Sequence, residues 1–150
     1  MRAVVIVPTY NESENVVPLL EAIRDVGVPG LEVLVVDDAS PDGTAALVRA
    51  FAERHPFADV LDRTGRPRGR GHAGRDGYLA ALARGADYVI EMDGDLSHDP
   101  RYLPDLLAAA RSGGASSRSP RTSTSASCSG SACAMPTPAT AASAARRKQR

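Results

Sequence analysis

Cysteine is nearly absent: Cys128 and Cys133 are the only two, too few for a disulfide framework and without zinc-ligand spacing. A reducing compartment is the default for such a chain. No run approaches the roughly 20 apolar residues that a bilayer-crossing helix needs. The N-terminus has no charged region followed by a long apolar stretch, so it does not read as a secretory signal. Lysine is missing up to Lys148, and acidic residues are missing after Asp105.

The 150 residues suit a single domain. Their formal net charge of zero hides a split. All 18 acidic residues lie between Glu12 and Asp105, against 12 arginines in residues 1–111, so that segment carries about −6 (12 − 18). An acidic domain is not an obvious nucleic-acid binder, and no nucleic-acid partner is expected. Carboxylates that gather where a phosphorylated ligand binds need a cation between them and the ligand.

Residues 1–111 alternate between strand and helix patterns. Apolar runs at Ala3–Val7, Leu31–Val36, Ala58–Leu61 and Tyr88–Met92 predict strands. Helices are expected over Asn15–Val26, with Val16, Leu19, Leu20 and Ile23 on one face, and from Asp42 or Thr44 through Glu53, with Leu47, Val48 and Phe51 inward. Two more are expected over His72–Ala83, ended by Gly85, and over Pro100–Arg111. This alternation implies right-handed crossovers and a mostly parallel sheet with flanking helices.

Residues 112–150 have no Val, Ile, Leu, Phe, Tyr, Trp, Asp or Glu. Such a composition cannot offset its chain entropy by burial, and the segment reads as a low-complexity, disordered tail. The abrupt break, with arginine used in place of lysine, also fits a reading frame shifted after about Ser112.

In parallel α/β sheets, ligands collect beyond the carboxyl ends of the strands. Four polar segments fall there: Pro8-Thr9-Tyr10-Asn11-Glu12, then Asp37 to Thr44, then Arg66 to Gly74, then Asp93-Gly94-Asp95-Leu96-Ser97-His98. Two carboxylates flanking one small residue just past a strand suit one Mg2+ or Mn2+ ion, so Asp93 and Asp95 are the candidate metal ligands. The alternative is an ordinary strand-end turn, and the convergence of four polar loops weighs against it. Asp37 and Asp38 suit a base, a ribose or the metal, and as adjacent carboxylates they need a partner. Asp42 and Thr44 read as a turn and helix cap. Tyr10 suits stacking on a base, and Glu12 accepting from it. Arg68 and Arg70 read as a solvated face; His72 and His98 lack metal spacing and read as structural.

PTYNE, VVDDASPDGT, GRGHAG and MDGDLSHDP together resemble the dolichol- and polyprenol-phosphate mannose synthases, inverting family-2 glycosyltransferases. The resemblance covers residues 3 to about 111. It implies a Rossmann-like GT-A nucleotide-sugar-binding domain, here incomplete, with donor contacts at Pro8, Tyr10, Glu12, Val36 and Asp38. It implies that Asp93, the backbone of Gly94, and Asp95 hold the metal and the sugar diphosphate. The implied donor is GDP-mannose, and the implied acceptor a polyprenyl phosphate whose oxygen attacks C1 of the sugar from behind. The implied place of work is peripheral, at the cytoplasmic face of a membrane, with a membrane-anchored partner. The chain departs from the family's GxGTA at Arg70 and His72, and nothing after Ser112 matches the Gly-Ser-Arg-Tyr segment that follows in the family. The competing readings are a UDP-sugar (glucose) transferase on the same lipid, a nucleotide-sugar-binding module without turnover, and a phosphoacceptor signalling domain. In the last of these the acid pair follows the first strand, whereas Asp37-Asp38 follows the second.

Overall fold

The computed structural model describes residues 1–113 and the backbone of 134–136. The elements are β1 (Ala3–Thr9), α1 (Val16–Val26), β2 (Leu31–Asp37), α2 (Thr44–Ala52), β3 (Ala58–Asp62), α3 (Arg70–Ala83), β4 (Tyr88–Glu91), a 3-10 turn (Pro100–Tyr102), α4 (Leu103–Gly113) and β5 (Ala134–Pro136). The sheet order is β3-β2-β1-β4-β5. β1 to β4 are mutually parallel, and β5 runs antiparallel to β4.

β1 and β2 are covered on both faces, which is why they read as unbroken apolar runs rather than as alternating ones. The two-residue period then sorts their side chains between two cores. Val5, Val7, Val33 and Val35 pack with α1, α2 and α4 through Leu19, Leu20, Ile23, Val48, Phe51, Leu103 and Leu107. Val4, Ile6, Leu34 and Val36 face α3 instead. The predicted inward face of α1, formed by Val16, Leu19, Leu20 and Ile23, is buried in full.

α3 is built differently from the other helices. Its buried residues are Ala73, Gly77 and Ala81, one small residue per turn. A side chain on Gly77 has no room, because its Cβ would lie 2.7 Å from Val36 Cγ2. Small residues let the helix axis come close to the sheet, and the segment therefore lacks a strong apolar stripe.

Some expected details differ. α3 begins at Arg70 rather than His72, and Gly85, in the left-handed region, ends it as expected by donating its N–H to Leu82 O. Leu47, expected inward, is 40% exposed, because α2 buries Thr44, Ala45, Val48 and Phe51 and leaves Leu47 on its flank. The last helix is preceded by a 3-10 turn capped by Asp99, whose carboxylate accepts from the Arg101 N–H at 3.0 Å. α4 runs two residues past the expected boundary, to Gly113. Three residues of the segment expected to lack structure, Ala134–Pro136, form β5 on the edge of the sheet. The rest of that expectation, and the shifted-frame reading, fall on 114–133 and 137–150, outside the described residues.

Candidate active site

β1 and β2 end side by side, with Thr9 opposite Asp37 in the register. The loops leaving them are sewn together by three consecutive backbone donors. The N–H of Asn11 donates to Ser40 Oγ at 3.0 Å, that of Glu12 to Thr44 Oγ1 at 3.1 Å, and that of Ser13 to Asp42 Oδ2 at 2.9 Å. Asp42 Oδ1 also accepts from the Thr44 N–H at 3.0 Å and from its hydroxyl at 2.6 Å. Desolvation works to raise the Asp42 carboxyl, but the hydrogen bonds from Thr44 and Ser13 outweigh it and lower its pKa to about 2. Asp42 and Thr44 form the expected turn, but the N-cap of α2 is Gly43, without a side-chain cap bond, and the side chains read as a cap serve instead as the clasp that shapes the Tyr10 loop. Asn11 (φ 59°), Ala39 (φ 59°) and Leu96 (φ 63°) occupy the left-handed region, one in each of the loops after β1, β2 and β4. Non-glycine residues take that conformation at a cost that surrounding structure must hold in place.

The two adjacent aspartates divide their work. Asp37 is 1% exposed; its Oδ2 accepts from the Ser40 N–H at 2.9 Å and its Oδ1 from the Thr9 hydroxyl at 3.4 Å. Asp38 points the other way. Its Oδ1 accepts from Arg63 Nη1, and its Oδ2 accepts from the Gly69 N–H at 2.6 Å. A carboxylate has about four acceptor sites, so Asp38 retains capacity for a ligand.

The loop after β4 brings the third group. Asp93 Oδ1 accepts from Arg70 Nη2, and the Asp93 N–H donates to His98 Nδ1 at 3.2 Å. That bond makes Nδ1 an acceptor, so the 3.7 Å approach of the same nitrogen to Asp93 Oδ2 is not an ion pair but a consequence of His98 holding the Asp93 backbone. Asp95 Oδ1 accepts from the Ser97 N–H at 3.0 Å. Hydrogen bonds from Ser97, side chain and backbone, hold the Asp95 carboxyl below its ordinary range, so it is ionised at neutral pH. Gly94 is buried, and a Cβ there would lie 3.0 Å from Thr9 Cγ2. The missing side chain lets the β4 loop sit against the end of β1.

These loops enclose a cleft of about 240 Å³ at the carboxyl edge of the sheet. Of the residues singled out from the sequence, Pro8, Tyr10, Glu12, Asp38, Asp93, Gly94 and Asp95 line it. Val36 and Asp37 do not: Val36 is fully buried in the layer facing α3, and Asp37 is committed to Thr9 and Ser40. Tyr10 is 45% exposed at the mouth, with the Arg68 guanidinium 4.2 Å from its ring centroid. Glu12 Oε2 accepts from Asn15 Nδ2 at 2.8 Å. Arg70, read from the sequence as a solvated face, lines the cleft as well.

Among the described residues, no group of three or more His, Cys, Asp or Glu side chains is placed to hold a metal. Two carboxylates on one loop, opening on a cleft with room for phosphate oxygens and water, are the donor set that Mg2+ or Mn2+ accepts. The residues present fit such an ion.

Arg63 went unnoticed in the sequence. It directly follows β3, is 1% exposed, and donates to Asp38, to Asp76 Oδ2 at 3.0 Å and to Pro67 O at 2.7 Å. Nothing in its local sequence distinguishes it from the chain's exposed arginines; only the packing of the β3–α3 connection over it does.

Comparison with known proteins places these features in context. The sequence model of glycosyl transferase family 2 matches residues 4–123. The undecaprenyl-phosphate mannosyltransferase of Micrococcus luteus is 47% identical over 112 residues, which are 75% of this chain and 45% of that protein. The polyprenol monophosphomannose synthase of Mycolicibacterium smegmatis is 43% identical over 113 residues, 75% of this chain and 42% of that protein. A mannosyltransferase from Pyrobaculum calidifontis, solved in complex with GDP-Man and Mn2+, superposes with a TM-score of 0.58 at 38% identity, over 77% of this chain and 33% of its own. The chain thus spans less than half the length of these relatives. Among the described residues no helix is long and apolar enough to cross a membrane.

Proposed function

The chain belongs to glycosyl transferase family 2 and has its GT-A fold, and on that premise we propose that it is the donor-binding part of an enzyme moving mannose, with inversion, from GDP-mannose to a polyprenyl phosphate. The observation that carries the reading is the convergence of Tyr10, Glu12, Asp38, Asp93 and Asp95 on one cleft at the carboxyl edge of the sheet. The support for the mannosyl donor and the lipid phosphate is the 47% and 43% identity to two bacterial enzymes of that kind, each over 75% of this chain.

In this reading Tyr10 and Glu12 receive the base and ribose, with Asp38, oriented by Arg63, completing that wall. Asp93 and Asp95 hold a divalent cation, Mg2+ or Mn2+, which when bound supplies positive charge to the diphosphate of the departing nucleotide. His98 holds the Asp93 backbone and Ser97 the Asp95 carboxylate before any ligand arrives. The attacking lipid phosphate is largely anionic at neutral pH, since its second pKa is about 6. The cleft therefore needs no strong general base, and positioning supplies most of the acceleration. The acceptor places the reaction at the cytoplasmic face of a membrane.

Calorimetric titration of the chain with GDP-mannose and with UDP-glucose, in Mn2+ and in Mg2+, tests the donor. Preference for GDP-mannose supports the reading; preference for UDP-glucose overturns the mannose assignment. Incubation with polyprenyl phosphate separates turnover from binding, and a donor bound without lipid product identifies a binding module.

A further inference from the structure

Two aspartate–arginine pairs stand at the cleft, and they differ in burial. Arg63, paired with Asp38, is 1% exposed and tied to two further acceptors. Arg70, paired with Asp93, has a side chain that is 67% exposed. It stands in the first turn of α3, so a rotamer change removes its guanidinium from Asp93 without disturbing either core. Asp95, the other carboxylate of the loop, is held by Ser97 rather than by a cation. One of the two candidate metal ligands is thus already neutralised by the chain itself.

We propose that Arg70 is a resident counter-cation of Asp93 that competes with the divalent ion, so that metal binding becomes strong only when a nucleoside diphosphate gives the guanidinium another partner. The inference rests on the reading of Asp93 and Asp95 as the metal ligands. A divalent ion entering the free cleft must displace Arg70 from the Asp93 oxygen. A diphosphate changes that balance. Guanidinium groups bind phosphate oxygens through paired, charge-assisted hydrogen bonds. Arg70 also lies at the positive end of a 14-residue helix that opens on the cleft. Released from Asp93, it can reach the same anion that the metal bridges. Metal and nucleotide then favour one another more than simple charge attraction would require, and by linkage the effect is reciprocal.

The test uses the whole 150-residue chain, Mn2+ titration followed by electron paramagnetic resonance, and GDP as the nucleotide probe. Arg70→Gln should bind Mn2+ alone roughly three- to fivefold more tightly than the unaltered chain, a modest change because exposed ion pairs are weak. GDP should then raise the variant's Mn2+ affinity by a smaller factor than it raises that of the unaltered chain. Arg75→Gln, which removes one exposed charge from the same helix outside the cleft lining, controls for overall charge and should shift Mn2+ binding less than about twofold. Equal Mn2+ affinity in Arg70→Gln and the unaltered chain overturns the proposal, as does an equal gain in Arg75→Gln. If the unaltered chain binds no Mn2+ even with GDP, the metal-site reading itself fails, a result distinct from either of those.

Discussion

Arg63 and Asp38 form a buried ion pair between the end of β2 and the residue following β3, and it sets one wall of the cleft. The pair is closed by the Gly69 N–H on the second Asp38 oxygen and by Asp76 on the Arg63 Nε. One side chain therefore joins two strand ends to the loop and helix that follow.

Removing Arg63 should unsettle this network more than any exposed arginine. Arg63→Ala leaves Asp38 buried without its cation, and loss of one partner of a buried pair costs about 3–5 kcal/mol. Denaturant unfolding should show that loss, while Arg66→Ala, at a half-exposed pair with the same Asp76, should cost under about 1 kcal/mol. Similar losses in both variants would mean that Arg63 contributes no more than a surface charge.

Asp95→Asn should abolish Mn2+-dependent binding of GDP-mannose with little change in melting temperature. The Asp95 side chain is exposed and its hydrogen bond is confined to its own loop, so its charge contributes little to the fold. Calorimetry with and without Mn2+ reads the outcome. Metal-dependent binding that survives at the original affinity would remove Asp95 from the proposed site.

Gly77→Ala should destabilise the chain by about 1–3 kcal/mol, the usual cost of overpacking. The added methyl meets Val36 Cγ2 at 2.7 Å and Ile6 Cβ at 3.5 Å, both in the sheet, so α3 must move outward. Because α3 carries Arg70 and Ala73 into the cleft, nucleotide affinity should fall as well. Thermal melts and GDP titration of one sample test both effects.

Stability should fall in acid over a defined window. The Asp42 carboxyl is lowered from 3.8 to about 2, and Asp62, bonded by Thr64 and Arg49, is also lowered to about 2. A carboxylate lowered by folding contributes stability that is complete above its unfolded pKa and is lost as the pH falls through the folded one. Melting temperature should therefore drop between about pH 4 and pH 2, and Asp42→Asn should drop less steeply there. An unchanged slope in the variant would show that the clasp from Ser13 and Thr44 does not depend on the Asp42 charge.

Much of the site was legible because its residues sit at strand ends. The runs before Pro8, Asp37 and Asp93 announce buried parallel strands, and a parallel sheet brings their carboxyl ends to one edge. That rule selects the segments holding Pro8, Tyr10, Glu12, Asp38, Asp93, Gly94 and Asp95, and the family resemblance singled out Pro8, Gly94 and Val36 within or beside them. Neither source tells Asp38 from Asp37, or shows that Val36 lies outside the cleft lining. The side-chain alternation of a strand turns Val36 toward α3, and the turn after β2 draws the Asp37 carboxylate back onto Ser40 and Thr9. Neighbouring residues of similar promise were parted by which way their backbone faced.

The sequence by itself determined the strand and helix alternation, the parallel sheet and the edge at which a ligand collects, because local periodicity and chain order decide these. The tertiary structure decided which polar side chains are spent on the protein and which face the cleft. Ser40, Asp42 and Thr44 became acceptors for the loop of Asn11, Glu12 and Ser13, some 30 positions away along the chain. Among the described residues, Arg63 became a buried partner and Arg70 an exposed cation on Asp93, while Arg49 and Arg84 pair with Asp62 and Asp59 at the surface. The physical reason is that a long charged side chain carries no local signal of its destination. Its partner is fixed by what lies within reach once the strands are in register, and by whether water is left to compete.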